Sequence, residues 1–188
     1  MPKRSQHTNP DAASTRIFVV EDNLSDVLLI QEAVNTNGIE AKLQVIVEGE
    51  KALNELSAMA PSQVPNLIVV DLNLPRVSGL ELLRAIRKNR KFDATPVIIL
   101  TSSKSPEDRV QAETLGASAY ITKPMGLDEF LETVGGTIRR LLTNRAAEAR
   151  LCVRLAERST HRPRAILRPR SRQYADPPVD SKRAARRA

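Results

Sequence analysis

A chain of 188 residues with 41% apolar content has room for one ordinary domain plus extensions, and with aromatics at 3% its core must be aliphatic. No apolar run nears the ~18 residues of a transmembrane helix, the basic N-terminus lacks the apolar stretch of a secretory signal, and one cysteine, Cys152, allows no internal disulfide, which suits a reducing cytoplasm. The formal charge of +7 is uneven: residues 1–140 hold 16 Lys+Arg against 18 Asp+Glu, and residues 141–188 hold 13 against 4, so a mildly acidic domain precedes a basic tail.

Residues 1–15 are polar and carry two prolines, which predicts disorder. "RIFVV" (16–20) reads as a buried strand. In "LSDVLLIQEAVNTNG" (24–38) the apolar residues Val27, Leu28, Ile30, Ala33 and Val34 fall at helical spacing, and Gly38 suits the C-terminal cap. "AKLQVIV" (41–47) alternates as a strand does, and "EGEKALNELSAM" (48–59) is helical until Pro61. "NLIVVD" (66–71) is the third strand and "SGLELLRAIRKN" (78–89) the third helix. "TPVIIL" (95–100) is the fourth strand. "SPEDRVQAETLG" (105–116) is a helix with Pro106 in its first turn and Gly116 as cap. "SAYIT" (118–122) is the fifth strand, and "GLDEFLETVGGTIRRLL" (126–142) the fifth helix, weakened near Gly135-Gly136.

Strands this apolar, alternating with helices, predict a five-stranded parallel sheet covered on both faces: a doubly wound, flavodoxin-like (βα)5 α/β fold. Such sheets place ligands at the carboxyl ends of their strands. There the sequence puts Glu21-Asp22, Asp71, Thr101-Ser102 and Thr122-Lys123-Pro124. Three neighbouring carboxylates repel, and a divalent cation relieves that. Oxygen donors without Cys or His point to Mg²⁺. Asp71 can then act as a nucleophile that forms an aspartyl-phosphate, with the metal, the Lys123 ammonium, the Thr101 hydroxyl and loop N–H groups neutralising the transferred charge.

Taken singly, each group has a plainer reading. Asp71 can be a turn former before Asn73 and Pro75, Glu21-Asp22 helix N-terminal charge, and Thr101-Ser102-Ser103 capping hydroxyls. Lys123 can be solvated and Tyr120 a half-buried strand tyrosine. The chemical reading rests on all of them falling on one edge of one sheet with complementary charge.

The stretches "VVEDN", "VVDLNLP", "VIILTSS" and "AYITKP" together resemble the signature of bacterial response-regulator receiver domains over about residues 16–142. "RKNRKFDATP" with "DLNLPR" is similar to the single-domain receivers that serve phytochrome-type sensor kinases. The resemblance implies a phosphoacceptor signalling protein rather than a turnover enzyme. It implies that Asp71 takes a phosphoryl group from a sensor histidine kinase, and that Glu21, Asp22, Asp71 and the Asn73 backbone carbonyl hold Mg²⁺. Thr101 and Lys123 would hold phosphoryl oxygens, Tyr120 would be the rotameric switch, and Asn73 and Ser103 would line the path of hydrolytic water. Glu21 stands where aspartate is commoner, which changes reach but not charge. The readout expected is a change in protein–protein contact, self-association included, at the fourth helix, fifth strand and fifth helix.

The tail from residue 143 is basic and predicted to be largely disordered, although the stretch to about Arg158 can extend the last helix. The remainder is rich in Arg, Pro and Ala and cannot build a core. It offers a second reading, in which the tail binds nucleic acid or an acidic partner through its charge. It lacks zinc spacing, a recognition helix and a stacking aromatic set. His7 and His161 show no metal-ligand spacing. A free-standing phosphohydrolase of the aspartyl-phosphate kind is disfavoured, because position 73 is Asn where such enzymes carry a second acid.

Overall fold

The computed structural model describes residues 15–160, with side chains to residue 147. Residues 1–14, His7 among them, His161, the Cys152 side chain and the tail beyond Thr160 lie outside the described residues, while Thr15, the last residue of the expected extension, opens β1 instead. The chain runs β1 (Thr15–Val20), α1 (Leu24–Thr36), β2 (Ala41–Ile46), α2 (Gly49–Ala58), β3 (Leu67–Val70), α3 (Gly79–Lys88), β4 (Val97–Thr101), α4 (Pro106–Thr114), β5 (Ala119–Thr122) and α5 (Leu127–Thr160). Short 3-10 turns at Pro61–Gln63 and Arg90–Phe92 precede β3 and β4. The strands form one parallel sheet in the order β2-β1-β3-β4-β5. That is the flavodoxin-like doubly wound order, with its switch point between β1 and β3. No helix among the described residues is long and apolar enough to cross a membrane.

The central strands are buried on both sides, as their unbroken apolar runs require. Phe18, Val20, Ile68, Val70, Val97 and Ile99 face α2, α3 and α4 with Leu56, Leu82, Leu83 and Ile86. Ile17, Val19, Leu67, Val69, Ile98 and Leu100 face α1 and α5 with Ile30, Val34, Phe130, Val134 and Ile138. Each such large side chain contributes roughly 1.5–3 kcal/mol of transfer free energy. Edge strand β2 alternates instead, with Lys42 and Gln44 outward.

Two details depart from expectation. Leu28 is 70% exposed and does not belong to the apolar face of α1; it lies about 200° around the helix from buried Ile30, and Leu29 packs inward instead. The Gly135-Gly136 pair does not interrupt α5. A Cβ at Gly135 would meet Asn37 Nδ2 at 2.0 Å and the Ala33 carbonyl at 2.5 Å, so glycine is there to let α1 and α5 close up. Asn37 seals the contact by donating to the carbonyls of Ala33 and Leu131, both at 2.9 Å. Beyond Leu142, α5 continues to Thr160, in keeping with the reading that the stretch to about Arg158 extends the last helix. Its Arg145 donates to the carbonyls of Pro65 and Asn66, at 2.9 and 2.7 Å, just ahead of β3.

Candidate functional site

Register brings the site together. Val20 pairs with Val70, so Glu21 and Asp71 leave the sheet at the same level. Thr101 pairs with Thr122, which delivers Lys123 one residue beyond. The Asp71 N–H donates to the Val20 carbonyl at 3.0 Å and the Lys123 N–H to the Thr101 carbonyl at 2.8 Å, fixing both at the rim. Glu21 and Asp71 are buried, and Asp22 is exposed.

Lys123 is the hub. Its Nζ donates to Glu21 Oε2 and Asp71 Oδ2, each at 2.8 Å, and to Asp26 Oδ2 at 2.6 Å. The three N–H bonds of the ammonium are thus met by three carboxylates. Burial opposes its charge, but the hydrogen bonds it donates to Asp26, Asp71 and Glu21 outweigh that and hold it protonated well above the ordinary lysine range. Burial pushes the Glu21 carboxyl up, only partly offset by Lys123. Asp26 was not read as a site residue from sequence. It stands in the first turn of α1, where an acid is expected for the helix dipole alone; its spacing of four from Asp22 was the available signal.

Glu21, Asp22 and Asp71 can each offer one oxygen within 4.8 Å of the others. With Asp26 they make four carboxylates against one ammonium. At an effective dielectric of ~20, two unit charges 4 Å apart repel by ~4 kcal/mol. A single lysine leaves most of that uncompensated, whereas a divalent cation would remove two further charges. Hard oxygen donors, one buried pair and one open acid fit Mg²⁺, which keeps some waters and takes few protein ligands.

Thr101 is fully buried and its Oγ1 accepts from Asn73 Nδ2 at 3.4 Å and from the Ser103 N–H at 3.2 Å. The Asn73 N–H donates to Asp71 Oδ1 at 3.1 Å. Ser103 Oγ donates to Asp108 on α4 at 2.6 Å, and the Tyr120 hydroxyl donates to the Ser103 carbonyl at 3.4 Å. The Tyr120 ring lies 4.5 Å from the Arg109 guanidinium of α4, within cation–π range. Burial raises the Tyr120 hydroxyl above the usual tyrosine range. A connected line therefore runs from Asp71 through Asn73, Thr101 and Ser103 to Tyr120.

The loop after Asp71 ends at a capped helix start. Ser78 caps α3 reciprocally: it accepts from the Glu81 N–H at 3.3 Å, and Glu81 accepts from the Ser78 N–H at 2.9 Å. That backbone donor, with the Ser78 hydroxyl, lowers the Glu81 carboxyl below the usual range. Arg76 adopts φ +67° and pairs with Glu48 ahead of α2.

The chain matches the family model described as response regulator receiver domain over residues 17–135. It is 33% identical over 135 residues to Response regulator Rcp1 of Synechocystis sp., a match covering 70% of this chain and 90% of that protein. Among solved structures it resembles the phosphorylated cyanobacterial phytochrome response regulator RcpA, with a TM-score of 0.64 and 31% identity over 70% of this chain and 96% of that one. It also resembles the Mn²⁺-bound form of Rcp1, with a TM-score of 0.59 and 33% identity over 65% of this chain and 90% of that one.

Proposed function

The chain belongs to the response-regulator receiver family of two-component signalling, and on that premise we propose that it carries its signal as a phosphoryl group on Asp71. A carboxylate oxygen of Asp71 attacks phosphorus as the bond to a kinase histidine nitrogen breaks, and the histidine leaves with the electron pair. Phosphoryl transfer asks the protein mainly for position and for neutralised charge. Strand β3 supplies position by clamping Asp71 to β1. The Asn73 N–H steadies one Asp71 oxygen, leaving the other at the ammonium of Lys123. The Thr101 hydroxyl, whose oxygen accepts two hydrogen bonds, keeps its own proton for a phosphoryl oxygen. Glu21, Asp22, Asp71 and the Asn73 carbonyl would hold Mg²⁺, which neutralises phosphoryl charge when bound.

The acceptance of a metal finds support in Rcp1, a similar protein solved with Mn²⁺. The kinase is read as phytochrome-type because RcpA is a phytochrome response regulator. The single observation that carries the proposal is the convergence of Glu21, Asp71 and Lys123 within hydrogen-bonding distance, drawn from three different strand ends.

A phosphoryl group brings about −1.5 to −2 charge, and it shifts a conformational equilibrium only by interacting differently with two states. The line from Thr101 to Tyr120 is the element we assign to that role. If Thr101 turns to the phosphate, the Ser103 N–H loses its acceptor and the Ser103–Tyr120 contact is free to change. Tyr120 would then leave Arg109, altering the surface of α4, β5 and α5, where Val110 is already 61% exposed. Size-exclusion chromatography and kinase-affinity measurements, with and without an acyl-phosphate mimic, test the readout. A change in mass or affinity supports it; neither changing counts against it.

A further inference from the structure

We propose that Asp26 is a positioning residue for phosphoryl transfer: it is the anchor that keeps the Lys123 ammonium in place when its other two partners are withdrawn. The proposal deepens the reading of Asp71 as phosphoacceptor and rests on it.

In the structure the three acceptors on Lys123 look equivalent, but their fates differ. When Asp71 becomes an acyl phosphate, its carboxylate charge is gone and its oxygens are weaker acceptors. When Glu21 serves a cation, its oxygens turn to that cation. Asp26 does neither. It lies outside the group of acids able to share one ion, Glu21, Asp22 and Asp71. It also makes the shortest contact with Lys123, 2.6 Å against 2.8 Å for the other two.

Lysine carries its charge on a flexible stem that loses rotamer freedom when it is fixed. Held only by Glu21 and Asp71, it would be freed at the step where it must meet a phosphoryl oxygen. Asp26 stands on α1, a different element from either, and α1 is fixed against α5 by the Asn37 contact. One N–H of Lys123 stays with Asp26, and the other two exchange a carboxylate for phosphoryl oxygens. The alternative role, stabilising α1 through its dipole, needs only an acid in the first turn and no contact with Lys123.

Phosphorylation of the full chain by acetyl phosphate with Mg²⁺ tests this, comparing wild type, Asp26→Asn and Asp26→Glu. The asparagine variant keeps shape and loses charge; it should be phosphorylated about tenfold more slowly, the scale of one charge-assisted hydrogen bond. Its half-saturating Mg²⁺ concentration should stay at the wild-type value. Asp26→Glu should retain most of the wild-type rate. In ¹⁵N NMR, the Lys123 ammonium signal should be observable in wild type and should broaden in Asp26→Asn even without Mg²⁺. A wild-type rate in Asp26→Asn overturns the proposal, as does a slow rate in Asp26→Glu equal to that of Asp26→Asn. A parallel loss of Mg²⁺ affinity overturns it too, by making Asp26 a metal ligand. Failure of the wild type itself to accept phosphate would instead remove Asp71 as acceptor, and with it the premise.

Discussion

Gly79 lies pressed against Asp71: a Cβ at Gly79 would stand 2.2 Å from the Asp71 carbonyl oxygen and 2.7 Å from Leu72 Cα. The Gly79 N–H also donates to the Leu72 carbonyl at 3.0 Å. The first residue of α3 is therefore the floor on which the end of β3 rests, and the missing side chain is what lets Asp71 sit at the rim.

Gly79→Ala should therefore destabilise the domain, although alanine is the better helix former by up to ~1 kcal/mol. Overpacking against backbone costs ~1–3 kcal/mol, which exceeds that gain. Urea denaturation would read the net loss. An unchanged midpoint would show that α3 can shift away at no cost.

The two adjacent glycines of α5 should respond in opposite senses. Gly136 has open space around its missing Cβ, so Gly136→Ala should stabilise by about 0.5–1 kcal/mol. Gly135→Ala would drive a methyl into Asn37 and Ala33, and should destabilise by ~1–3 kcal/mol while loosening α1 from α5. Thermal unfolding of the two variants side by side decides it; stabilisation by both would mean the α1–α5 contact is not close.

These glycines also show what the sequence could and could not reveal. The alternation of apolar runs was enough to place five strands and five helices, because the central strands carry near-unbroken apolar runs and edge strand β2 alternates. Sequence order then put Glu21, Asp22, Asp71, Thr101 and Lys123 on one edge without any tertiary knowledge. What pairing across space decides was not legible. Gly135-Gly136 read as a weak point because helix propensity is local, whereas the reason for glycine is Asn37, far off along the chain. Asp26 drew no reading of its own, because nothing local points it at Lys123. "RKNRKFDATP" served only as a point of resemblance, yet Phe92 within it is 1% exposed and packs into the α2–α3 side of the core.

Mg²⁺ should stabilise the folded chain, by about 2.7 kcal/mol at a hundredfold excess over its Kd. Asp22→Asn should reduce the shift in Tm strongly with little effect on the metal-free Tm, because Asp22 is exposed and has no bond to Lys123 in the structure. Equal Mg²⁺ shifts in both proteins would remove Asp22 from the ligand set.

The pH dependence has a definite sign. Burial raises Glu21 above its ordinary 4.5, so its contribution to metal-free stability is full below that value and is lost as pH climbs through the raised native value. Glu81, lowered by Ser78, acts oppositely: its contribution is present above 4.5 and is lost as pH falls through the lowered value. Glu21→Gln should flatten the decline of metal-free stability on the alkaline side of 4.5, and Mg²⁺ stabilisation of the wild type should be larger at neutral pH than in acid. Denaturation across pH, with and without Mg²⁺, checks both; a metal effect that grows on acidification would contradict the assignment of Glu21.

The most direct measurement is phosphotransfer from labelled histidine kinases to the wild-type chain and to Asp71→Asn, followed by mapping of the labelled peptide. The wild type should gain one base-labile phosphoryl group on the peptide containing Asp71, and the variant should gain none. Label retained by Asp71→Asn at the wild-type level would place the acceptor elsewhere.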